Sequence, residues 1–104
     1  MSTSLVRIDE QIEIVKQELQ KLGPMRPGSI SRQYRLPREK HRPFYQISYT
    51  YRMKGRSEYV RPGQLTTLKA ETATFKRFKT LVERWIDLSL KSSQLRMRQT
   101  SEKP

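Results

Sequence analysis

One histidine and no cysteine limit the chemistry this chain can carry. His41 stands in the basic run "REKHRP", and a triad or metal role would need partners converging on it from elsewhere. The aspartates, Asp9 and Asp87, fall in helical patterns where exposed charge pairing accounts for them. No Gly-rich phosphate loop, HExxH pair or nucleophile elbow is present. A single catalytic arrangement can be assembled, that of a metal-free ribonuclease using His41, Glu58, Arg56 and Tyr49, and it requires matched acid–base geometry. The expectation is a non-enzymatic chain with no cofactor and no metal.

Binding chemistry is better represented. In "RPFYQISYTYRMKGRSEYVRPG", residues 42–63, aromatic side chains interleave with arginine and lysine. The formal charge is +12, unevenly spread. Residues 1–22 hold three bases against four acids, residues 64–98 eight against three, and residues 23–63 ten against only Glu39 and Glu58. A small domain needs a net charge of only about 2–8 for solubility, and the middle third by itself already reaches the top of that range. Arg32, Arg35, Arg38, Lys40, Arg42, Arg52, Lys54, Arg56 and Arg61 are the candidate nucleic-acid contacts, DNA before RNA. Arginine outnumbers lysine among them, and its planar fork suits phosphates and base edges.

These residues need a scaffold. At 104 residues with 34% apolar content, the chain has room for one domain, assigned to residues 1–98, with a flexible tail over 99–104. Residues 4–22 read as a helix capped by Ser4 and stopped by Gly23-Pro24. Leu5, Ile8, Ile12, Val15, Leu19 and Leu22 occupy heptad a and d positions, a narrow assembly seam for the C-terminal helix or for a second copy in a homodimer. A sheet of two or three antiparallel strands follows over 28–61. Ile30, Tyr34 and Leu36 alternate as an edge strand, Phe44–Tyr51 is the clearest strand, and "RMKG" turns with Gly55 able to take positive φ. Ser57–Arg61 returns with Tyr59 assigned to the face of Tyr45, Ile47, Tyr49 and Tyr51. That face is expected to turn inward, with arginines and small polar groups outward. A long helix over 64–95 carries Leu68, Phe75, Phe78, Leu81, Val82, Trp85, Ile86 and Leu88. The fold class is therefore α+β. With no disulfide, no apolar run of about 20 residues and no signal-like start, a cytoplasmic protein is expected.

The runs "GSISRQYR", "HRPFYQISYTYRMKGRSEYVRP" and "FKRFKTLVERWIDLSL" resemble a domain-of-unknown-function family of short basic bacterial and archaeal proteins, some encoded near transposases. The shared features fall on Gly28, Ser29, His41, Pro43, Phe44, Tyr45, Lys54, Gly55, Phe75 and Phe78, over roughly residues 20–95. Family members carry a cysteine cluster after the first strand; this chain has "LPREKHRP" there, so no metal knuckle carries over. The resemblance supplies no established activity; taken with the basic sheet, the expectation is a non-enzymatic DNA-binding accessory or regulator of a mobile element. The general layout is also similar to the sheet-plus-helix domains of tyrosine recombinases. The alternative is a basic adaptor that docks on a larger nucleoprotein complex through its helices.

Overall fold

The seam of α1 (Thr3–Gln20) finds its partner within the same chain. In the computed structural model, which describes residues 3–34 and 43–101, Val15, Leu81 and Leu88 are buried together. Ile8, Ile12, Leu19 and Leu22 from the α1 seam pack around them with Trp85 of α2 (Leu65–Ser101). Leu5 is half-buried. Polar contacts flank this seam: Arg77 reaches Glu18 at 2.8 Å, and Lys16 lies 5.4 Å from the Trp85 ring centroid. The buried Ser92 hydroxyl donates to Asp9 at 3.3 Å and accepts from Arg96.

Both helices depart from their expected ends. α1 starts at Thr3, so Ser4 lies inside it, and it stops at Gln20. The Lys21 and Leu22 amides then bond the Glu18 and Leu19 carbonyls at 3.2 Å, the tighter i,i+3 closure of a helix end. α2 runs to Ser101 rather than ending at residue 95, so residues 99–101 are helix and not tail. No glycine or proline occurs between Gly63 and Pro104 to interrupt it.

The chain divides into two compact units. α1 and the stretch from Arg77 onward make a helical unit; residues 23–76 make a sheet unit. Charge divides unequally between them: the sheet unit's sequence holds twelve bases against three acids, the helical unit's ten against seven.

Within the sheet unit, β1 (Ser29–Tyr34), β2 (Pro43–Tyr51) and β3 (Lys54–Val60) form one antiparallel sheet in that order. The α+β architecture and a third strand are thus both present. Ile47 opposes Ile30 on one side and Glu58 on the other; Tyr45 opposes Arg32 and Val60. Because side chains alternate, Ile30, Arg32, Tyr34, Tyr45, Ile47, Tyr49, Tyr51, Lys54, Arg56, Glu58 and Val60 share one face. Ile47 and Val60 are fully buried there. Gly28 presses against Ile47, and the Arg26 amide bonds the Glu71 carbonyl of α2 at 3.1 Å. Leu36 lies outside the described residues.

Tyr59 is the correction with the widest consequence. Resuming the strand at Ser57 would leave five residues in the loop and set Tyr59 opposite Tyr49. Only Arg52 and Met53 occupy the turn, so Tyr59 opposes Gln46 and joins Phe44, Ser48 and Thr50 on the other face. Gly55 sits inside β3 opposite Thr50, not in the turn.

Candidate nucleic-acid interface

A two-residue hairpin connection of type I′ has positive φ at both central positions, matching the twist of its strands, which is why Asn-Gly usually fills it. Here Arg52 takes φ 52° and Met53 φ 67°. A side chain in this region carries local strain that the flanking strands must offset. The effect is to hold Met53 97% exposed at the tip. The Arg52 guanidinium folds to 5.1 Å from the ring of Tyr51, itself half exposed. Lys54 faces Tyr51 across the ladder and Arg56 faces Tyr49, both exposed.

Arg32 supplies a second aromatic–cation pair, 5.9 Å from the Tyr45 ring. Side-chain hydrogen bonding with Tyr34, then with Tyr45, raises its pKa further above the ordinary arginine value. Arg61 stands exposed where the chain leaves β3, its amide bonded to the Gln64 side chain at 3.0 Å. Among the described residues, none of Arg32, Arg52, Lys54, Arg56 and Arg61 enters a salt bridge. Arg35, Arg38, Lys40 and Arg42 lie outside the described residues, as does His41.

The cations therefore do not line an outward plane behind inward aromatics. Arg32, Lys54 and Arg56 share the tyrosine face, and Arg52 occupies the turn beyond it. The core of that face is short: Ile47 and Val60 are covered, while Tyr51, Lys54 and Arg56 extend past the cover into solvent. The opposite face carries Ser29, Ser31, Gln33, Phe44, Gln46, Ser48, Thr50, Ser57 and Tyr59, with no charge among them.

One ion pair joins the leading segment to the sheet. Arg26 reaches Glu58 at 2.8 Å and lies 5.1 Å from the Tyr49 ring, while the Tyr49 hydroxyl donates to the same Glu58 oxygen at 2.7 Å. This clamp was not anticipated, because Arg26 and Glu58 are 32 positions apart and neither stands in a motif. It unites Tyr49 and Glu58 of the ribonuclease arrangement, with Arg56 beside them, but engages Glu58 structurally. The Tyr49 hydroxyl, then the charge and hydrogen bond of Arg26, hold the Glu58 carboxyl below its ordinary pKa, despite partial desolvation acting against them. That makes Glu58 a weaker proton acceptor.

A carboxyl with lowered folded-state pKa stabilises the fold above its unfolded value, and the contribution is lost as pH falls through the folded value. Tyr49 is raised, chiefly by its bond to Glu58, so its contribution is lost as pH rises through the alkaline range. Tyr49→Phe should move the Glu58 midpoint upward in a carboxyl-carbon NMR titration. It should stop short of the free value, because Arg26 remains. An unmoved midpoint would show that the hydroxyl does not set it.

A cleft of about 570 Å³ is lined by Arg26, Ile47, Glu58, Arg61, Gln64 and Leu68, among others, and it is predominantly polar. Among the described residues no three of His, Cys, Asp and Glu gather as metal ligands, and no helix is long and apolar enough to cross a membrane. Met53, Phe44 and Gln46 were not singled out as contacts from sequence. The charge-free alternation Phe44, Gln46, Ser48, Thr50 was the available signal. No family model, curated protein or solved structure matches the chain.

Proposed function

We propose that the sheet unit binds nucleic acid and that the chain acts as a non-enzymatic accessory or regulatory protein. The observation carrying this reading is the hairpin end, where Arg52, Lys54 and Arg56 project with no salt bridge to a carboxylate among the described residues. Glu58, the one described acid on the strands, is already engaged by Arg26. A protein serving solubility alone would intermix signs, whereas here an exposed cation cluster surrounds an exposed apolar tip, Met53. Tyr51 and Arg52 offer a ring and a guanidinium to the same ligand, a combination suited to bases and phosphates together.

The test is an anisotropy titration of labelled oligonucleotides at two salt concentrations. Charge reversal at Arg52, Lys54 and Arg56 to glutamate should lower affinity at least tenfold and flatten the salt slope by about 2–3, since each phosphate contact contributes about one unit. Circular dichroism should be unchanged, because these side chains are exposed and outside the core. Equal affinity and equal slope for the variant would remove the hairpin from the interface.

A further inference from the structure

The uncovered face of the sheet is the least expected surface of the sheet unit. Twelve bases and three acids occur in residues 23–76, yet its described positions hold only hydroxyl, amide, aromatic and glycine groups. At the end of the face away from the hairpin turn, Phe44 of β2 and Tyr59 of β3 place their ring centroids 6.4 Å apart at an interplanar angle of 37°. Tyr59 is 59% exposed. Gln46 lies directly opposite Tyr59, and Ser48 meets Ser57 at 3.3 Å between hydroxyls. Gln33 and Ser31 continue the polar surface across β1. Arg52 and Lys54 stand at one end, and Arg61 follows Val60 at the other end of β3.

We infer that this face receives the unpaired bases of a single-stranded nucleic acid, with Phe44 and Tyr59 as the stacking platform. The inference rests on the nucleic-acid reading above and specifies its ligand. A neutral surface carrying rings and amides, bordered by cations, is complementary to a strand whose bases are uncharged and whose phosphates are not. Rings stack on any exposed base face, and Gln, Ser and Thr groups can bond Watson–Crick edges once these are free. In a duplex the base faces are hidden in the stack and only groove edges remain, so the paired rings would have no partner. Phosphates from the same strand meet the bordering arginines and lysine.

The experiment uses the full chain with three labelled probes: oligo-rU, oligo-dT and a hairpin duplex of equal charge. The unaltered protein should bind the unpaired strands at least tenfold more tightly than the duplex, and comparing rU with dT distinguishes RNA from DNA. The double variant Phe44→Ser and Tyr59→Ser should lose about tenfold or more for the unpaired strands. Its salt slope should be kept, because the phosphate contacts remain. Photocrosslinking of 5-iodouracil strands to the unaltered protein supplies a readout that does not depend on the variant folding, and adducts should map to Phe44 or Tyr59. A duplex preference, or crosslinks confined to other residues, would overturn the inference while leaving the nucleic-acid reading in place. Failure to bind any of the probes would overturn both.

Discussion

Gly28→Ala should destabilise the sheet unit by about 2–4 kcal/mol, the sum of left-handed backbone strain and overpacking. Gly28 has φ 141°, a region that L side chains rarely adopt. A methyl group there would lie 2.8 Å from Ile47 Cγ1, 3.1 Å from Ile47 Cδ1 and 3.1 Å from the Ser48 carbonyl oxygen. Neither neighbour yields readily. Ile47 is 1% exposed at the centre of the sheet unit's core, and the carbonyl belongs to the backbone of β2. For a domain of this size, each kcal/mol lowers Tm by about 4–8 °C, so the fall should be at least about 8 °C in a thermal melt followed by circular dichroism. Gly63→Ala is the matched control, since nothing lies within 4 Å of the added methyl and its φ is not in the positive range. It should leave Tm nearly unchanged. If the two variants melt alike, the close approach of residue 28 to Ile47 is not what fixes the start of β1.

The placement of Gly28 also shows how far the chain could be read before its structure. The alternation of β2 was plain, because aromatic and β-branched residues recur with period two from Phe44 to Tyr51. The α1 seam was equally plain, and its six apolar residues are spaced for a helix partner. The joint between β2 and β3 was not. Arg-Met is a poor advertisement for a turn requiring two positive φ values, whereas Gly55 three residues on has the freedom such turns demand. Resuming the strand at Ser57 leaves five residues in the loop where the structure has two, and a change from even to odd reverses which face a returning strand presents. Tyr59 thereby changed sides, and with it the account of the surface. The cations Arg32, Lys54 and Arg56 proved to share a face with most of the tyrosines, and the described strand positions of the other face proved neutral. Charge was legible as a total and illegible as a pattern, because its pattern depends on register.

In the helical unit the corresponding expectation concerns Leu81. At 2% exposed, it packs with Val15 and Leu88 in a cluster completed by Ile8, Ile12, Leu19, Leu22 and Trp85. Truncating a leucine in such a site removes transfer free energy and leaves a cavity, at a cost of about 2–5 kcal/mol depending on how far the site collapses. A two-helix unit has few alternative contacts with which to fill the space, so Leu81→Ala should fall in the upper half of that range. Leu90→Ala, nine positions on and 56% exposed, should cost well under about 1 kcal/mol, as surface substitutions do. Urea unfolding read by Trp85 fluorescence suits the comparison, since the indole borders the same cluster. Because the α1 seam is occupied within the chain, the midpoint of the unaltered protein should also be independent of protein concentration over a hundredfold range. A concentration-dependent midpoint would mean that the seam is completed by a second copy, and equal losses for Leu81 and Leu90 would place the buried side of α2 on a different stripe.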